Sequence, residues 1–186
     1  MELSENLVKK NKLSVNKMVK ISLLAALAYL LTFVRMPLFF LPFFPQYLKL
    51  DIAELPALIA GFVYGPVSGV IVIFVRNVLD FLTKSSTGGV GELSNFIVGS
   101  SFVVPASIIY KLNKSKKNAI KGVILGTLAM AALGLFSNKY LIFPLYGMPA
   151  EWGFLFGYII PFNLLKGTLN SVVVLLIYKK ISVLFK

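Results

Sequence analysis

The chain has 186 residues, 58% of them hydrophobic and 14% charged, with a mean hydropathy of +0.84 and a formal net charge of +12. One soluble core of this size cannot bury that apolar share, so lipid must solvate much of the surface. The chain has no cysteine and no histidine, which excludes a disulfide framework, a thiol nucleophile, an imidazole base, a Cys/His zinc site and the HExxH intramembrane proteases.

The expected architecture is an all-α integral membrane protein: a single transmembrane domain over residues 1–186 that opens with a short basic segment, 1–16. The first apolar run, near Met18, is too long for a signal-peptide core and lacks a small-residue cleavage site, so no cleaved leader is expected. Apolar runs bounded by polar or turn residues give six helices. Helix 1 covers 17–37 and stops at Met36-Pro37. Helix 2 covers 51–64 and helix 3 covers 66–83, joined by the tight turn "YGPVSG". Helices 4, 5 and 6 cover 90–111, 118–137 and 154–180. Helix 2 reaches only about 21 Å at about 1.5 Å per residue, short of a bilayer core. It is expected to lean on its neighbours or on the preceding loop.

The lysines orient the bundle. Lys9, Lys10, Lys12, Lys17 and Lys20 precede or open helix 1, and Lys111, Lys114, Lys116, Lys117 and Lys121 lie between helices 4 and 5. Lys179, Lys180 and Lys186 end the chain. Six helices put all of these on one side, and Lys49, Lys84 and Lys139 on the other with most of the acids. The positive-inside rule then makes both termini cytoplasmic. On this reading "KLNKSKKNAIK" faces lipid headgroups, and no nucleic-acid partner is expected.

Ionisable and amide groups within spans are costly and point to function. Arg76 and Asp80 lie four apart on helix 3, able to pair or to lock that helix to a neighbour. Helix 4 opens with "TGGVGELSNF", which puts Glu92 and Asn95 on one face; Asn138 closes helix 5; Asn163, Lys166 and Asn170 form a stripe on helix 6. With the orientation above, these groups converge at the outer depth, beside the segment "FFLPFFPQYLKLDIAELPAL" (39–58). There Phe39, Phe40, Phe43, Phe44 and Tyr47 offer flat apolar surfaces stiffened by Pro42 and Pro45; the other reading of this loop is an interfacial aromatic belt. The expectation is a polar pocket opening outward under a greasy cover, for a flat, neutral or weakly charged ligand with amide-like edges. Gly88, Gly89 and Gly91 lack the Lys-Ser/Thr of a P-loop and read as a tight turn. The chain has no GxxxxGK[ST] and cannot hydrolyse ATP alone.

Four stretches, "FFPQYLKLDIAELPALIAGFVYGP" (43–66), "STGGVGELSNFIVG" (86–99), "NKYLIFPLYG" (138–147) and "PFNLLKG" (161–167), together resemble the riboflavin-specific substrate-binding subunit, or S component, of energy-coupling factor (ECF) transporters. The resemblance extends over nearly the whole chain. It implies a non-enzymatic subunit of the bacterial plasma membrane that binds riboflavin from outside. It also implies that this subunit works with a membrane coupling (T) subunit and two cytoplasmic ATPases. The residues it implies for the ligand are Leu48 and Lys49 of the covering loop, Gly88, Gly89, Glu92 and Asn95 at helix 4, Asn138 on helix 5, and Asn163 and Lys166 on helix 6. No catalytic residue, metal or cofactor is implied; riboflavin would be the transported ligand. Family members carry an AxxxA docking pattern on helix 1. Here "ISLLAALAYL" departs from it with Ser22-x-x-x-Ala26 and Ala25-x-x-x-Tyr29, leaving Ser22, Ala25 and Ala26 as the expected docking residues. The alternatives are an S component for another vitamin, such as a pterin, thiamine or pantothenate, and a small secondary transporter, although no inverted repeat is visible.

Overall fold

The computed structural model describes residues 2–34, 36–37 and 48–184, with side chains described over 15–34 and 48–177. The aromatic cover expected over Phe39–Tyr47 lies outside the described residues. Helix α1 (Glu2–Leu31) ends in a 3-10 turn at Thr32–Val34. A two-residue antiparallel ladder follows, β1 (Met36–Pro37) against β2 (Lys49–Leu50), pairing Met36 with Leu50 and Pro37 with Lys49. Then come α2 (Leu55–Tyr64), α3 (Pro66–Lys84), α4 (Val90–Leu112), α5 (Lys116–Ser137) and α6 (Ile160–Leu184).

Several boundaries differ from expectation. Helix α1 begins at Glu2, so the basic segment 1–16 is largely a helical extension. Helix α2 begins at Leu55, with Pro56 in its first turn where a missing N–H costs nothing. Helix α5 does not end at Asn138. It runs on through a π turn, Asn138–Ile142, and a last α turn, Phe143–Leu145. Helix α6 is likewise entered through Trp152–Phe154 and a π turn, Leu155–Ile159.

Among the described residues, five helical stretches are long and apolar enough to cross a membrane: Val15–Val34, Pro66–Lys84, Val90–Leu112, Lys116–Leu145 and Trp152–Ile177. Their outer faces carry exposed Leu23, Phe74, Phe81, Leu128, Phe136 and Leu176, the surface that lipid solvates. Helix α2 is different. Every residue from Leu55 to Phe62 is buried, enclosed by α1, α3, α4 and α6.

Apolar side chains are not driven together in lipid, so close backbone approach must hold the helices. The sequence supplies it through small residues. A Cβ on Gly122 would lie 2.6 Å from the Ala106 carbonyl oxygen, and one on Gly126 would lie 2.5 Å from that of Phe102. This Gly-x-x-x-Gly edge seats α5 directly on the α4 backbone. Gly61 of α2 makes room in the same way for Ser107 of α4, where a Cβ would meet Oγ at 2.0 Å. The main core, with Leu58, Ile73, Phe102, Val123, Met130 and Val174, joins all the helices. A smaller cluster of Leu135, Ile142, Phe143, Leu155 and Ile159 packs the two π turns together.

Candidate ligand-binding site

A cavity of about 790 Å³ opens at the end of the bundle where α1 and α3 finish and α4 and α6 begin. It falls in the size range of small-molecule sites. Seven of the nine residues implied for the ligand line it: Leu48, Lys49, Glu92, Asn95, Asn138, Asn163 and Lys166. Gly88 and Gly89 do not. They sit at φ +60° and +94° in the turn before α4, conformations that only glycine adopts freely. They form the turn, and Ser86, Thr87 and Gly91 of the same stretch reach the wall.

The helix 4 contribution is organised by Thr87. Its hydroxyl accepts from the Gly91 N–H at 3.1 Å and donates to Glu92 Oε2 at 2.9 Å. One side chain thus satisfies a free donor of the first turn and aims the carboxylate. Asn138 Nδ2 donates to the Gly134 carbonyl at 2.7 Å, and Asn163 Nδ2 to that of Ile159 at 2.9 Å. Each amide therefore keeps its Oδ1 and one N–H for a ligand, a donor beside an acceptor. A Cβ on Gly134 would lie 2.5 Å from Asn163 Nδ2, so this glycine makes the space in which Asn163 stands.

Burial separates the charges into two groups. Lys166 Nζ lies 3.1 Å from Asp51 Oδ1 and 3.1 Å from Glu54 Oε1, and Arg76 Nη1 lies 3.2 Å from Glu54 Oε1. All four residues are at most 5% exposed. The expected Arg76–Asp80 pair is corrected here: Arg76 turns to Glu54 from the segment before α2. Asp80 instead pairs with Lys84, 3.3 Å away, at the rim. Lys84 also donates to Thr32 Oγ1 and stands over the Phe33 ring at 3.6 Å, which ties the end of α1 to the end of α3. Among the described residues, the cavity wall and its direct partners carry Lys49, Lys84, Lys166 and Arg76 together with Asp51, Glu54, Asp80 and Glu92.

Sequence reasoning missed Asp51, Glu54, Thr87 and Tyr146. Asp51, Thr87 and Tyr146 line the wall, and Glu54 stands behind it. For Asp51 and Glu54 the signal was present: two acids in a strongly apolar stretch, matched by Arg76 and Lys166 in spans. On α1, Ser22 and Ala26 are exposed, whereas Ala25 is 1% exposed within the core. Ala25 therefore packs against the bundle, on the side away from Ser22 and Ala26.

The family model for "ECF transporter, substrate-specific component" matches residues 16–178. The riboflavin transporter RibU of Staphylococcus aureus is 37% identical over 174 residues, covering 89% of this chain and 90% of that protein. The riboflavin transporter FmnP of Bacillus subtilis is 35% identical over 182 residues, covering 91% and 94%. A solved S component of a bacterial ECF transporter superposes with a TM-score of 0.82 at 39% identity, covering 93% of this chain and 99% of that one. The chain belongs to the substrate-specific components of ECF transporters.

Proposed function

We propose that this protein is the riboflavin-binding S component of an ECF-type vitamin importer in the bacterial cell membrane. It crosses the membrane six times with both ends in the cytoplasm, and it works with a membrane coupling subunit and two ATPases. The observation that carries the reading is the cavity of about 790 Å³ with two half-satisfied amides on its wall. A neutral, flat ligand edged with donors and acceptors fits it, and riboflavin is such a molecule. Relatives spanning nine-tenths of this chain are named riboflavin transporters, which supports the same ligand. The family is one of transport components, not enzymes.

Titration of the detergent-solubilised chain with riboflavin, followed by flavin fluorescence, is the test. One-to-one binding without metal or nucleotide is expected, and a preparation that copurifies with ligand should be yellow. Saturable binding of thiamine, pantothenate or a pterin with none of riboflavin would replace the ligand. In liposomes the chain alone should bind riboflavin and accumulate none, because it carries no phosphate-binding loop. Accumulation by the lone subunit would overturn the importer reading.

A further inference from the structure

Asp51 and Glu54 stand between β2 and α2, directly after Leu48 and Lys49 of the cavity wall. They belong to no regular helix, yet they are 5% and 0% exposed. Their partners come from far along the chain. Lys166 of α6 meets both carboxylates, and one turn further on Asn170 Nδ2 donates to the Asp51 main-chain carbonyl at 3.0 Å. The return of the first loop is thus fastened to α6 through side chain and backbone at once.

Both carboxylates lie 3.1 Å from the Lys166 ammonium, which fixes its head group at the cavity wall. Among the described residues, Glu54 Oε2, Arg76 Nε and Asn170 Oδ1 of the same cluster have no hydrogen-bond partner. A network built for stability alone would satisfy those atoms or be replaced by apolar packing. Local rules are broken in this way where function fixes the geometry. We infer that Asp51 and Glu54 are positioning residues of the ligand site: they hold the Lys166 ammonium at the cavity wall and set the loop return against α6. A ligand touching both Leu48–Lys49 and Lys166 then meets two walls in fixed register.

The inference rests on the riboflavin reading for its probe. Four full-length proteins are compared: parent, Asp51→Asn, Lys166→Met and the double variant. Asp51→Asn should still titrate to one riboflavin per molecule but raise Kd by roughly tenfold or more, mainly through faster release. Without ligand, the double variant should melt higher than Lys166→Met alone, since it removes the anion together with its cation. A Kd for Asp51→Asn within about twofold of the parent would overturn the positioning role. So would a loss confined to the binding-competent fraction at unchanged Kd, which marks a merely structural clamp. If the parent binds no riboflavin, the ligand reading falls separately. The ligand-free melting cycle still decides the pairing, because additive effects of Asp51 and Lys166 would overturn it.

Discussion

Asn163 sits where three local demands meet. It donates to its own helix at Ile159, it is 3% exposed, and it occupies the space that Gly134 leaves on α5. Asn163→Leu removes the donor–acceptor pair and leaves the ligand edge unmatched, at about 1–3 kcal/mol. That is roughly a ten- to hundredfold weaker Kd by calorimetry. Asn113→Leu, beyond the far end of α4, serves as the control and should bind like the parent. Gly134→Ala tests the space itself. The added methyl at 2.5 Å from Nδ2 must push the amide aside, so affinity should fall although no polar group is lost. In a double-mutant cycle the effects of Gly134→Ala and Asn163→Leu should be less than additive. The stripe of Asn163, Lys166 and Asn170 was readable because helical spacing alone puts them on one face. The partners of Lys166 were not, because they come from a non-helical segment more than a hundred residues earlier, and Arg76 had an equally spaced false partner in Asp80.

At the scale of elements, α1 has a packed face and an open one. Ile21, Leu24, Ala25 and Ala28 are buried against the bundle, while Val15, Met18, Val19, Ser22 and Leu23 line a shallow outer groove and Ala26 is exposed. Ala26→Trp puts a large ring on the exposed face proposed for docking. Riboflavin binding should persist, whereas pull-down with the coupling subunit should fail; normal assembly would place docking on another helix. Helix existence and order were legible from hydropathy alone. The ends of α5 and α6 were not, since Asn138 has the look of a terminus. In the folded bundle its amide returns to the Gly134 carbonyl and the helix continues through a π turn, which has no composition of its own.

Across the whole molecule, the absence of cysteine makes orientation measurable with single introduced thiols. Lys114→Cys, exposed in the α4–α5 turn, should react with a membrane-impermeant maleimide only after the cells are opened. Ser86→Cys, exposed in the α3–α4 turn, should react on intact cells. The reverse pattern would invert the proposed topology. The expected orientation comes from the lysine distribution alone, and this labelling decides it.

Helix α2, ten residues long, is buried among its neighbours from Leu55 to Phe62. The bilayer can therefore stretch or thin around the five long helices with little pull on the element that follows Asp51 and Glu54. In such a design the outer helices absorb hydrophobic mismatch by tilting, and the central one acts as a fixed axle. Riboflavin affinity measured in nanodiscs of short and long acyl chains should then stay nearly constant, even where the melting temperature moves with lipid length. A membrane thickness that changes along a cell's growth phase would alter how firmly this protein is held, and leave its grip on the ligand untouched.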